Sequence, residues 1–224
     1  HLRASQWWHQ LLHRLPRLAT THYQSPLISL RPGVKFTQRV ATRLSLDRDA
    51  AFTFLNRKKV FDLGRIAWAT ADMPKLWRYN LHYFDYLHDP QRSFENKCFL
   101  IGDWIHHNPP GTEDAWEPYT ASLRIVNWIK FFLLPAVARV EEHSEGALRR
   151  EWEQSLYQQA LWLEQNIEYH ILANHYLKNG VALFFAGFYF HGTDGDRWFR
   201  KGLEILKEEI EEQFLPDGGH FERS

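Results

Sequence analysis

From Pro74 onward the chain repeats one pattern: an apolar-periodic stretch of about 15 to 20 residues, then a short polar break. Ser93 stands as the N-cap of a helix that runs to Asn108, where Pro109-Pro110-Gly111 stops it. Pro118 opens the next helix, through "YTASLRIVNWIKFF", and Pro135 should kink or end it. In "GALRREWEQSLYQQALWLEQNIEYH", the residues Leu148, Trp152, Leu156, Leu163 and Ile167 fall on one stripe. "NHYLKNGVALFFAGFYF" is apolar nearly all round after Gly180, which predicts a helix buried on most sides. "DGDRWFRKGLEILKEEIEEQF" is amphipathic with Phe199, Leu203, Leu206 and Ile210 inward, and "LPDGGHFERS" then leaves helix. Such a series packs as antiparallel helical hairpins, so the class is all-α. Periodicity alone leaves an ordinary bundle and an α/α toroid both open.

Before Pro74 the pattern changes. Trp8, Leu11, Leu12 and Leu15 keep helical spacing until Pro16, and the chain is then irregular to about Ala71. "KFTQRVATRL" and "AAFTFLNRKKVF" read as short strands, the second with a turn near Asn56-Arg57. Residues 1–71 thus form a helix and a partly extended wrap, and residues 72–224 the helical core of one structural domain. The opening "HLRASQWWHQ" has neither an initiator methionine nor an apolar signal segment, as in a mature form or an excised piece. The longest apolar runs, "IKFFLLPAVA" and "VALFFAGFYF", fall short of the roughly 20 residues of a membrane span, so none is expected.

The 27 basic and 27 acidic residues cancel, which argues against a general nucleic-acid binder. A single cysteine, Cys98, rules out an internal disulfide. The unusual quantity is 16% aromatic residues with ten tryptophans. They concentrate in "LWRYNLHYFDYLHD", where Tyr79 and other rings mix with hydrogen-bonding side chains as in a sugar-holding surface. Along a helix from Trp77, Arg78, His82 and Asp85/Tyr86 recur every three or four residues and share a face. Thr120, Arg124 and Asn127/Trp128 form a second such stripe, with Trp116 and Tyr119 at its mouth, and Asn174 with His175 opens a third helix. The bland alternative for each stripe is a solvated face with i,i+4 pairing. The 13 histidines show no H-E-x-x-H and no partner cysteines, so no metal site and no cofactor is expected.

The blocks "LWRYNLHYFDYL", "DAWEPYTASLRIVNWIKFF", "NHYLKNGVALFFAG" and "LPDGGHFERS" resemble the heparinase II/III-like polysaccharide lyases, in the expected order across residues 77–224. The resemblance implies an incomplete α/α toroid of antiparallel helical hairpins, preceded here by the partly extended N-terminal segment. It also implies a C-terminal antiparallel β domain in the longer protein. The implied reaction is β-elimination on an acidic, uronic-acid-containing polysaccharide. Asn174 in "NHYL" matches the residue that neutralises the substrate carboxylate, and His82 in "NLHYF" matches a site histidine. Arg78, Tyr79, Trp116, Tyr119, Arg124, Asn127 and His175 are the expected substrate-binding residues. The family's acid–base tyrosine would follow almost directly after "GGHFERS", and a further histidine would lie in the β domain, so this chain alone is expected to be inactive. A periplasmic or secreted location follows from the same resemblance.

Two other classes compete with the lyase. A noncatalytic saccharide-binding module would hold the same polymer without forming product. A glycoside hydrolase on a similar toroid needs two carboxylates across a cleft, for which Asp85, Glu113, Asp114 and Glu117 are available without visible pairing.

Overall fold

Capping and proline chemistry set the early helix boundaries. The computed structural model describes residues 29–33, 50–62, 64–134, 137, 146–169 and 174–213. Among them are six α-helices: α1 Lys75–Tyr83, α2 Phe94–His107, α3 Pro118–Phe132, α4 Gly146–Gln165, α5 Asn174–Tyr189 and α6 Thr193–Gln213. The Ser93 side chain accepts a hydrogen bond from the Asn96 amide at 3.1 Å and so starts α2, which ends at Asn108 as expected. Pro118 occupies the first turn of α3, where its missing N–H costs nothing.

Among the described residues, four short strands accompany the helices. β2 (Ala51–Phe54) and β3 (Arg57–Val60) form the expected antiparallel hairpin, with Ala51 opposite Val60 and Phe54 opposite Arg57. Its turn lies one residue earlier than the sequence suggests: Leu55 and Asn56 both take positive φ, 53° and 59°, as a two-residue hairpin turn of the primed kind requires. β1 (Ser29–Leu30) pairs antiparallel with β4 (Phe190–His191), tying an early segment to the α5–α6 connection. The helix expected before Pro16, the strand "KFTQRVATRL", the kink at Pro135 and the closing "LPDGGHFERS" lie outside the described residues.

Most of the aromatic excess is core. Trp77, Trp104, Trp128, Trp152 and Trp198 are all fully buried, and Phe52, Phe61, Ile66 and Trp68 from the early segment join the same cluster. Phe84 sits at its centre, stacked on Trp68 at 5.7 Å and edge-on to Trp104 and Trp128 at 6.1 and 5.3 Å. The stretch "LWRYNLHYFDYLHD" therefore contributes Trp77, Leu81, Phe84, Tyr86 and Leu87 to the interior rather than to a ring-lined surface.

Two stripes differ from expectation. On α4, Trp152, Leu156 and Leu163 are buried, as is Ile167 just past the helix end, but Leu148 at the helix start is exposed. On α6 the inward face is Gly195, Trp198, Gly202, Ile205 and Glu209, displaced one position from the predicted one, and Leu203 and Ile210 are exposed. Glycine is the reason. Gly180 and Gly187 of α5 lie against Gly195 and Gly202 of α6 so closely that an added Cβ at Gly187 or Gly202 would come within 3.0 Å of the partner helix's backbone. An apolar moment cannot register a contact made by residues with no side chain.

This geometry sets a sharp test. Gly187→Ala and Gly202→Ala should each destabilise by about 1–3 kcal/mol, the scale of overpacking, because backbone rather than a flexible side chain is in the way. Gly102→Ala, in α2 with nothing within 4 Å of the added methyl, should instead stabilise by about 0.5–1 kcal/mol. Urea midpoints of the three variants check the ordering; equal effects would mean that the α5–α6 contact is looser than described.

Candidate functional site

The predicted Arg78–His82–Asp85 stripe is broken by a backbone event. Helix α1 stops because Phe84 enters the left-handed region, at φ 64° and ψ 24°, and Asp85–His88 continues as a 3₁₀ turn. Asn127 on α3 clamps the break: its side-chain amide donates to the Tyr83 carbonyl at 2.9 Å and to Asp85 Oδ1 at 2.5 Å. The buried Asn127, expected to touch substrate, is thus committed to holding backbone.

Three more predicted site residues lie in the interior. His82 is 1% exposed, its Nδ1 accepts from Trp104 Nε1 at 3.1 Å, and its ring stacks on Trp68. Burial, then the Arg124 charge, lowers its pKa to about 3, so the ring is neutral at ordinary pH. Arg124 is fully buried: Nε donates to Gln159 Oε1 at 2.8 Å, Nη1 donates to the Ala115 carbonyl at 2.6 Å, and the guanidinium lies 4.0 Å from the Trp104 ring centre. Burial lowers its pKa to about 9. Trp116 is buried as well, with Nε1 donating to the Asn108 carbonyl at 2.9 Å and its ring edge-on to Trp162. None of the three presents a surface to a ligand in this structure. Arg124 does share one face of α3 with Thr120, Asn127 and Trp128, but that face meets protein instead of water.

Above this layer is a polar, aromatic face built from the end of α1 and the first turns of α3 and α5. Tyr119 is its hub: Tyr83 meets it edge-on at 6.1 Å and the His175 ring lies on it at 4.4 Å. His175 Nδ1 is 3.2 Å from both Glu168 carboxylate oxygens. Asn174, the first residue of α5, is exposed, and its side chain has no partner among the described residues. Tyr79 donates its hydroxyl to Glu117, which also pairs with Lys75 Nζ at 3.0 Å. Burial, then the Glu117 hydrogen bond, raises the Tyr79 pKa to about 12, and burial does the same in direction for Tyr83 and Tyr119. All three phenols are therefore donors at neutral pH.

The charge on this face differs from a cationic groove. Arg78 Nε pairs with Asp114 Oδ2 at 2.5 Å and Lys75 pairs with Glu117, so both cations are answered within the protein. Tyr83 and Glu168 were not singled out from the sequence. Tyr83 is hidden by the helix break, and Glu168 pairs with His175 without sharing a helix with it, so no periodicity connects the two. Two clefts elsewhere, one lined by Arg31, Phe188, Asp196, Phe199 and Arg200 and the other by Ala50, Gly64, Ile66 and Phe99 among others, contain none of these residues. No group of three or more His, Cys, Asp or Glu among the described residues is arranged to hold a metal ion. No described helix is long and apolar enough to cross a membrane.

Buried His82 and half-buried His88 make acid stability predictable. His82 is lowered from 6.5 to about 3, and His88, by burial and then by Lys130, to about 4. In this window the unfolded chain binds protons that the folded one refuses. The stability they permit is complete above pH 6.5 and falls as pH drops toward those folded values. Melting temperature followed downward from about pH 7 should decline across this window, and His82→Gln should flatten the decline. An unchanged slope in that variant would place the acid sensitivity in other groups.

The family model described as Heparinase II/III N-terminus matches residues 38–224. A crystal structure of a mutant heparan sulfate lyase HepC from Pedobacter heparinus is similar at 25% identity with a TM-score of 0.58, covering 78% of this chain and 29% of that one. The structure of HepC without that designation is similar in fold, at 24% identity and a TM-score of 0.56, covering 77% of this chain and 29% of that one. This chain thus spans less than a third of the length of those lyases. No curated protein sequence matches it. With the family model covering most of its length and the helical fold shared with a heparan sulfate lyase, the chain belongs to the heparinase II/III family, as its N-terminal domain.

Proposed function

We propose that this chain is the groove-bearing part of a polysaccharide lyase that cleaves a uronic-acid-containing polymer by β-elimination. In this reading the helices form an incomplete α/α toroid whose working face carries Tyr79, Tyr119, Asn174 and His175. A C-terminal β domain of the longer protein closes over it, and the enzyme acts in the periplasm or outside the cell. The observation that carries the reading is the Asn174 side chain, exposed and unpartnered among the described residues, next to a histidine already seated on Tyr119.

The chemistry requires such a group. A base removes the C5 proton, the freed electron pair forms the C4=C5 double bond, and the glycosidic oxygen leaves C4 with a proton from an acid. Negative charge grows on a carboxylate that is already anionic, so a donor aimed at that carboxylate lowers the barrier as an oxyanion hole does. Asn174 Nδ2 is that donor. Tyr79 and Tyr119 contribute neutral hydroxyls to the sugar, and His175 an imidazole edge. Arg78, held by Asp114, meets the polymer only through a partly shielded charge. His82, Trp116, Arg124 and Asn127 act one layer below, supporting the loops and rings that the substrate touches. The acid–base tyrosine and second histidine of the family resemblance come from the rest of the longer protein.

Full-length protein should release product absorbing in the short ultraviolet, as unsaturated uronate does, from some uronate polymer, and this chain alone should release none. Asn174→Ala in the full-length protein should lower kcat by roughly 10²- to 10³-fold, the scale of losing one oxyanion-type donor, with the melting temperature preserved. Full turnover in that variant would remove Asn174 from the site. New reducing ends without the ultraviolet product would mean hydrolysis and a carboxylate pair instead.

A further inference from the structure

The face around Tyr119 is rich in donors, and one device on it decides where an acceptor stands. Glu168 is buried in the segment that follows α4, and both its carboxylate oxygens lie 3.2 Å from His175 Nδ1. Its backbone is pinned separately. The Glu168 amide donates to Asn179 Oδ1 at 2.8 Å, and the fully buried Asn179 donates through Nδ2 to Ser122 Oγ at 3.0 Å. Ser122 in turn donates to the Pro118 carbonyl at 2.8 Å. This chain of bonds links Glu168 to α5, which carries His175, and to α3, which carries Tyr119. Carboxylate, imidazole and phenol ring are therefore held in one frame by contacts independent of the three groups themselves. The opposite edge of the imidazole is open: the His175 side chain is 38% exposed, and Nε2 has no partner among the described residues.

We infer that Glu168 is a positioning residue that holds His175 in the Nδ1–H tautomer, tilted over Tyr119, with a bare Nε2 presented at the α5 start that also carries Asn174, to accept a hydrogen bond from a sugar hydroxyl. A carboxylate can only accept from a neutral imidazole at Nδ1, so the proton must sit there and the lone pair at Nε2. Free neutral imidazole side chains have no such compulsion. The result is a complementary pair of neighbours: Asn174 Nδ2 donates to a carboxylate, and His175 Nε2 accepts from a hydroxyl. A uronate ring carries both groups, which a simple carboxylate ligand does not. The inference about sugar contact rests on the lyase reading; the inference about Glu168 and the tautomer does not.

The test is nitrogen NMR of the histidine side chains in this 224-residue chain, at a pH where the ring is neutral, with His175→Asn identifying its signals. The expected result is the Nδ1–H tautomer in the wild-type protein. It should persist in Glu168→Gln, whose side-chain carbonyl still accepts, and give way to Nε2–H or a mixture in Glu168→Ala. An Nε2–H tautomer in the wild type, or a tautomer unmoved by Glu168→Ala, would overturn the proposal. The wild-type measurement decides the first point even if the alanine variant does not fold. In the full-length protein, Glu168→Ala should lower turnover on uronate polymer by roughly 10- to 100-fold, as loss of a group orienting a functional histidine does, and Glu168→Gln should recover part of it. Lost turnover with an unchanged tautomer would also sink the positioning role. The expected tautomers in a full-length protein that forms no elimination product would leave Glu168's role standing and bring down the lyase reading alone.

Discussion

The arrangement of this domain depends on one buried cation. Arg124 reaches from α3 to the Gln159 side chain on α4, to the Ala115 carbonyl in the loop before α3, and to the His82 carbonyl at the end of α1, with the ring of Trp104 from α2 against its face. Four helices and a loop therefore converge on a single guanidinium, whose partners among the described residues are an amide, two carbonyls and an indole rather than a carboxylate. Burying a charge is costly, and here carbonyl dipoles and an indole face offset the cost. Hydrogen bonds to charged groups contribute about 1.5–3 kcal/mol each, and a desolvated cation–π contact about 2 kcal/mol. The planar fork of arginine suits this arrangement as lysine could not, because it serves separated acceptors and stacks at once.

The surface layer follows from that centre. The Ala115 carbonyl fixes the approach to α3, so Tyr119 in the first turn has a defined place. Asn127 holds the left-handed break after Tyr83 and turns that ring edge-on to Tyr119. Glu168, just past α4, is tied from the other side through Asn179 and Ser122, and His175 lies against both it and the Tyr119 ring. Tyr119 and His175 are thus held in place by buried polar residues. Preorganisation of this kind limits how far a donor must move to meet developing charge.

Local boundaries were well read from the sequence where a single residue type enforces them. Ser93 and Pro118 start helices because of a hydroxyl and a missing N–H, effects that act within one turn. The stripe on α6 was misread by one position because glycine interfaces carry no hydrophobic signal. "LWRYNLHYFDYLHD" divides between two roles: Trp77, Phe84 and Tyr86 are core, whereas Tyr79 stays half-buried beside Glu117, because rings serve a core and a polar face equally well and composition cannot distinguish the two. The break at Phe84 carries no glycine or proline to announce it; burial of that ring among Trp68, Trp104 and Trp128 accompanies the unfavourable backbone conformation.

By itself, then, the sequence determined the all-α class, the early helix starts, the early hairpin and, through motif resemblance, the family. These rest on short-range chemistry and on the order of residues. Only the tertiary structure decided which of the polar residues on those helices meet water. His82, Trp116 and Arg124 went inside, while Tyr119, Asn174 and His175 stayed at the surface and gained Glu168 as a partner from outside any shared helix. The physical reason is that helical spacing defines a face only relative to its own axis. Whether that face is solvated depends on which other helices pack against it, and that is set by contacts between residues far apart in the chain.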